Sequence, residues 1–242
     1  MSLQYPGTAP NQMANLRDVG APGSALGRWV RAGVLWRSDA PLPGDADPSL
    51  TGTLDGATWP PRVVIDLRDP KELHDEPHPL AGPGVDVVAL PLTGSLAPAE
   101  QLRMRQGRTS LAELYVQLLG TAHSWLPVLV RTAARAEGPT LVHCAAGKDR
   151  TGVSVALLLA LAGVPRPEIL ADYLATGDAL PALRPRLGFH GEDLAAIEHL
   201  LDVSIPAMTA VLDRIGPDPV AFHRDQGVEQ DDIERWQDRL RP

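Results

Sequence analysis

The stretch TLVHCAAGKDRTGVSVALLLALAGV, residues 140–164, decides how the 242-residue chain is read. Thr140 to His143 is a short apolar run that suits a buried strand. Cys144 follows, then the small residues Ala145, Ala146 and Gly147, then the charged Lys148, Asp149 and Arg150. From Gly147 onward the sequence reads as a buried helix that ends near Gly163 and Pro165. A strand feeding a tight loop into a helix start leaves backbone N–H groups unpaired and pointing inward. The helix dipole adds positive potential at the same point. Together they form a cradle for a phosphate-type anion. Ala145, Ala146 and Gly147 let the backbone approach the anion closely, and Arg150 can fork around two of its oxygens.

The same field acts on Cys144, the only cysteine of the chain. A thiol at a helix N-terminus near cations loses its proton easily, and the thiolate is a nucleophile. The arrangement predicts attack by Cys144 on phosphorus and a phosphocysteine intermediate. Arg150 and the loop amides would stabilise the transition state, and water would then release the phosphate. Thr151 can hydrogen-bond the sulfur, and His143 orders the loop from behind. Asp149 is the nearest carboxylate to protonate the leaving oxygen. Lys148, one of two lysines in the chain, can hold a second anionic group of the substrate. This chemistry calls for no metal and no organic cofactor. An ATP-binding loop is excluded, because Val142 and Asp149 stand where that motif needs Gly and Ser or Thr.

Outward from this unit, Arg62 to Leu67 (RVVIDL) and Val85 to Leu92 (VDVVALPL) read as further strands, and Arg28 to Ala40 as one or two short ones. Residues 1–28 read as an extended arm and 41–60 as a loop. Within 97–135 the period changes. Leu111, Leu114, Tyr115, Leu118 and Leu119 share one helical face. Leu126, Leu129, Val130 and Ala133 share another, with Pro127 near the start of that helix. Helices are expected at about 167–175, 191–201, 205–215 and 228–240. The fold class is α/β, with a central, mainly parallel sheet flanked by helices and a helical C-terminal part. No linker interrupts 1–242, so a single domain is expected.

A net charge of −8 argues against nucleic acid as a partner. The longest largely apolar run, Val153 to Val164, has 12 residues, against about 20 for a membrane span. The first residues, MSLQYPGTAP, show no basic region followed by an apolar core. A single cysteine makes no intrachain disulfide and suits a reducing compartment, so a cytoplasmic location is expected, with export lacking a cleaved signal left open.

HCAAGKDRTG resembles the active-site signature of the tyrosine and dual-specificity protein phosphatases. The GKDRTG form is similar to the bacterial branch that includes mycobacterial and listerial enzymes. NLRDVG (15–20), LWRSDA (35–40), VIDLRDPKE (64–72) and ADYL (171–174) resemble that branch in the same order. The resemblance implies a phosphatase fold, with Cys144 as nucleophile and Arg150 as phosphate ligand. It implies substrates among phosphorylated proteins and phosphoinositides, and the Lys148-Asp149 pair is similar to loops that accept the latter. It suggests a lid over 95–120 and a basic residue near the pocket at Lys71, which reads equally well as a solvated lysine. One departure stands out. Tyrosine phosphatases take their general acid from a separate loop, yet Thr93 to Ala99 holds no carboxylate. Asp149 is the preferred acid, with Asp66 or Asp69 next.

Blander roles attach to several neighbours. Arg68 and Glu72 have the spacing of a local ion pair. Asn15, Arg17 and Asp18 read as anchors of the N-terminal arm. His74 and His78 flank Pro77 and suit an exposed loop better than a metal site. Two other functions fit parts of the pattern. A phosphate-binding module would keep the cradle without a working acid. An arsenate reductase would share Cys-X5-Arg, but needs further thiols that this chain lacks.

Overall fold

In the computed structural model, which describes residues 12–24, 26–50, 54, 59–73, 76–92, 107, 109–187 and 203–242, five strands form one sheet. They are β1 (Arg17–Asp18), β2 (Leu35–Ser38), β3 (Val63–Asp66), β4 (Asp86–Ala89) and β5 (Thr140–His143). Their order is β1-β2-β5-β3-β4. The β2–β5, β5–β3 and β3–β4 pairs are parallel and β1 is antiparallel to β2. Ser38, His143 and Asp66 lie in register across the three inner strands. The residues that follow them therefore emerge side by side at the carboxyl edge of the sheet. Cys144 follows the central strand, the position where open parallel sheets bind ligands.

Side-chain alternation sorts the strands into two faces. Leu35, Val63, Ile65 and Val142 join the larger apolar cluster, which holds the helical side chains. Trp36, Val64 and Leu141 join a smaller one with Met13, Leu16 and Leu54, and Trp59 stacks on Trp36 with ring centroids 5.9 Å apart. Among the described residues, no helix contributes to the smaller cluster. The N-terminal segment and the loops cover that face.

The helices are α1 (Leu111–Gly120), α2 (Leu126–Arg135), α3 (Asp149–Leu161), α4 (Arg166–Leu174), α5 (Thr176–Arg186), α6 (Ile205–Ile215), α7 (Pro219–Asp225) and α8 (Gln230–Leu240). Every residue of α3 after Asp149 is buried, so this helix runs through the core. The expected helices at 167–175, 205–215 and 228–240 correspond to α4, α6 and α8. The one at 191–201 lies outside the described residues. The short α7 and the whole of α5 add to the expected helices of the C-terminal part. Pro181 and Pro185 sit inside α5, where propensity disfavours helix, and its ends are held by polar contacts described below. Arg28 to Ala40 contains one strand, as one of the two expected alternatives. Of the expected lid, 95–106 and 108 lie outside the described residues, and 111–120 is a core helix. Leu114, Tyr115, Leu118 and Leu119 are buried there.

α8 closes the carbonyl end of α3. Trp236 Nε1 donates to the Leu158 carbonyl, Gln237 Nε2 to that of Leu161 and Arg241 Nε to that of Ala162, each at 2.8 Å. The Leu161 and Ala162 oxygens would otherwise be orphans of the helix end, whereas that of Leu158 also accepts from Ala162 N–H at 3.2 Å.

His223 in α7 is fully buried. Its Nδ1 bonds the Pro219 carbonyl at 2.6 Å, and burial pushes its pKa down to about 4. The unfolded chain takes up this proton near pH ~6.5, and the folded chain only near its lowered value. The contribution to stability is complete above the unfolded pKa and is lost as pH falls from there toward 4. In urea unfolding, His223→Leu is expected to lower the slope of stability against pH, at about pH 5, by roughly 1 kcal/mol per unit. An unchanged slope would show that His223 is not held neutral.

Candidate active site

Gly147 sets the shape of the loop between β5 and α3. Its φ is +66°, and a Cβ there would lie 2.2 Å from the Ser38 carbonyl oxygen. Only glycine permits that close approach. The loop carbonyls are tied outward. Ala145 O accepts from Ala40 N–H at 3.0 Å. Asn15 Nδ2 donates to the carbonyls of Ala146 (3.3 Å) and Gly147 (3.1 Å), and Arg37 donates to that of Gly147 at 2.8 Å. Among the described residues, no acceptor meets the N–H groups of Ala145, Ala146 or Gly147. The loop thus leaves the N–H groups of the three residues that follow Cys144 available to an anion. Cys144 itself is 2% exposed.

Arg150, in the first turn of α3, is held by Glu72 in a two-pronged ion pair. Nη1 lies 2.5 Å from Oε2 and Nη2 2.7 Å from Oε1, and Nη1 also donates to the Leu67 carbonyl at 3.3 Å. Burial opposes the charge of Arg150. The Glu72 hydrogen bonds and the nearby Cys144 outweigh it and hold the pKa above its usual value. Glu72 belongs to a short turn after β3, Pro70–Glu72. Asp69 caps this turn, and Glu72 Oε2 accepts in return from Asp69 N–H at 2.8 Å. The expected Arg68–Glu72 pair is therefore absent. Arg68 instead turns back on Asp66, with Nη2 2.7 Å from Oδ2 and Nε 3.0 Å from Oδ1. A pair within one helix turn needs a continuing helix, and Pro70 follows an extended segment here. The capping signature D-P-K-E was the signal that places Glu72.

Asp66 is buried and engaged by Arg68. Burial raises its pKa, but the Arg68 hydrogen bonds and the adjacent His143 carry it below the usual carboxylate range. It is unsuited to donate a proton. Asp149 is differently placed. Its side chain is 21% exposed, and Oδ1 accepts from Tyr115 Oη at 2.6 Å. Tyr115 and Tyr173 hydroxyls are 3.1 Å apart, and Tyr173 Oη accepts from Ser204 N–H at 3.2 Å. Two tyrosines from α1 and α4 thus orient the carboxylate. Gly152 lets the Tyr173 ring come close, since a Cβ there would lie 3.0 Å from it.

Lys148 departs from the expectation of a cation open to substrate. Its side chain is 1% exposed, with Nζ 3.5 Å from Asp149 Oδ1. Thr151 is buried, and its Oγ1 has no partner among the described residues. Lys71 is exposed on the turn that carries Glu72. His143 is fully buried, and its Nδ1 lies 3.3 Å from the Cys144 carbonyl. His78 is half-buried and lies 3.0 Å from His143, Nε2 to Nε2, so it is not a residue of an exposed loop. His74 lies outside the described residues.

Behind the loop runs a buried ionic layer that the sequence did not reveal. Asp172 of α4 sits between Arg17 (Nε–Oδ1, 3.0 Å) and Arg37 (Nη1–Oδ2, 2.5 Å). Burial raises the Asp172 pKa, and the two guanidinium groups more than reverse that. Burial, with Arg37 close by, brings Arg17 down to about 10. Asp39 accepts from Asn15 N–H at 2.9 Å and from Arg186 Nε at 2.6 Å, and Arg186 also forks onto Asp45. Thr176 Oγ1 accepts from Arg17 at 3.2 Å and from Arg37 at 3.4 Å. These contacts pin both ends of α5. They also show why NLRDVG, LWRSDA and ADYL keep company: all three converge behind HCAAGKDRTG. Asn15 and Arg17 buttress the loop itself, beyond anchoring an arm.

Three relatives carry the same likeness in sequence. A tyrosine-protein phosphatase of Nostoc commune is 36% identical over 151 residues, covering 54% of this chain and 51% of its own. A putative tyrosine-protein phosphatase of Cupriavidus necator is 37% identical over 171 residues, covering 67% and 60%. The triple specificity protein phosphatase PtpB of Mycobacterium tuberculosis is 52% identical over 58 residues, covering 24% and 21%. The matched part of the chain thus spans 60% or less of the length of each relative. The family profile, by contrast, runs through the N-terminal buttress, the cradle and every helix behind it, matching residues 9–242. On that match, the chain belongs to the tyrosine phosphatase family.

Proposed function

We propose that the chain hydrolyses phosphoric monoesters, with phosphotyrosine in proteins as the main substrate class, through a phosphocysteine on Cys144. The observation that carries this reading is the tied-back loop. Its carbonyls are engaged by Asn15, Arg37 and Ala40, which leaves its amides available to an anion between Cys144 and Arg150. The Cys144 thiolate attacks phosphorus in line. The S–P bond forms as the P–O bond to the leaving group breaks. The loop amides and Arg150, aimed by Glu72, bind the equatorial oxygens. Asp149 gives its proton to the leaving oxygen. A water then attacks phosphorus, passes a proton to Asp149 and returns the thiolate, which Thr151 stabilises by hydrogen bonding. Phosphoinositides are a second substrate class under this reading, and the reducing cytoplasm suits its free thiolate.

The test is hydrolysis of para-nitrophenyl phosphate and of an alkyl phosphate with chelator present. Native protein is expected to turn over both. Asp149→Asn is expected to lose about 10²–10³-fold in kcat on the alkyl ester, whose leaving group needs the proton, and less on the nitrophenyl ester. Equal losses on both would remove Asp149 from the acid role. No turnover by the native protein, with inorganic phosphate still bound, would favour a phosphate-binding module.

A further inference from the structure

We propose that His78 is a positioning residue for Cys144, acting through His143 along a directed chain of hydrogen bonds. The chain begins at Leu80, whose backbone N–H donates to His78 Nδ1 at 3.1 Å. An accepting Nδ1 places the proton of neutral His78 on Nε2. That proton points at His143 Nε2, 3.0 Å away. An accepting Nε2 in turn places the His143 proton on Nδ1, where it meets the Cys144 carbonyl at 3.3 Å. Each imidazole thus fixes the tautomer of the next, and the last bond orients the peptide from which the cradle starts.

The chain requires both rings neutral, and their surroundings keep them so. Burial pushes His143 down to about 4, against the opposing pull of Asp66. Burial lowers His78 as well, again with Asp66 opposing and Arg68 assisting. Among the described residues, these four groups are the charged or titratable ones that face the pair. A metal ion is the competing occupant, since ligand atoms of Asp66, His78 and His143 lie within 4.8 Å of one another. The hydrogen bonds speak against it. Both Asp66 oxygens already accept from Arg68. Metal at His78 Nε2 would move the ring proton to Nδ1, against the Leu80 N–H.

This inference rests on Cys144 being the reactive thiol, and its test does not depend on turnover. Cys144 is the only thiol, so alkylation by iodoacetamide reports on it alone. At about pH 6 we expect His78→Leu to slow alkylation about tenfold, the scale of one lost buried hydrogen bond. His78→Gln keeps a donor and is expected to stay within about threefold of native. Imidazole nitrogen NMR of the native protein at about pH 7 is expected to show His143 protonated on Nδ1 and His78 on Nε2. Native-like alkylation in His78→Leu, or a His143 proton on Nε2, would overturn the proposal. Should His78→Leu fail to fold, the native spectrum decides alone. If these results hold while phosphate esters are not hydrolysed, the phosphatase reading fails and the relay stands.

Discussion

Cys144→Ser is expected to lower kcat on para-nitrophenyl phosphate by at least about 10⁴-fold, the scale on which removing an enzyme's nucleophile acts. The loop that would grip phosphate is built from backbone amides and Arg150, and its shape is set by Gly147 and by Asn15 and Arg37 from behind. None of these depends on the sulfur. Inorganic phosphate should therefore bind the variant about as well as native protein. Serine is close in size and occupies a site that is already closed, so stability should also hold. Loss of turnover with binding kept would assign the nucleophile. A variant that keeps more than about a hundredth of the native rate would exclude a cysteine-centred path.

Asp172→Ala should be the most destabilising single change behind the cradle, at about 3–5 kcal/mol. The Arg37 side chain is 0% exposed and Asp172 is 6% exposed, so neither charge can be met by bulk water. Removing the carboxylate leaves Arg17 and Arg37 facing each other with their shared counter-charge gone. Arg37 also holds the Gly147 carbonyl, so loss of activity should accompany loss of stability. Asp172→Asn keeps an acceptor and should cost less. Denaturant midpoints for the two variants measure this directly. A change below about 1 kcal/mol for Asp172→Ala would mean that the pair adds little over solvent screening.

What the sequence discloses follows how far apart the partners lie. The strand, loop and helix around Cys144 were readable because their signals sit within 25 residues, 140–164. The strands at 62–67 and 85–92, and the helix at 205–215, were readable from periodicity alone. Glu72 was misassigned to Arg68 because its partner, Arg150, is 78 residues away. The Asp172 site was invisible for the same reason, with Arg17 and Arg37 at separations of 155 and 135. α5 was lost to Pro181 and Pro185, whose penalty is offset by contacts of Thr176 and Arg186 that no local rule reports. His78 was read by its neighbour Pro77, and its ring in fact meets His143 across 65 residues.

The clamp on the cradle has a kinetic consequence. Asn15 reaches Gly147 across 132 positions and Arg186 reaches Asp39 across 147. Contacts of such high order carry a large loop-closure cost and are made late on the route to the native state. The hairpin-free core of β5 and α3 can condense first, with the anion site still unset. Phosphate affinity is then expected to appear in the slowest refolding phase. Compact intermediates would carry the nucleophile without the grip that makes it selective.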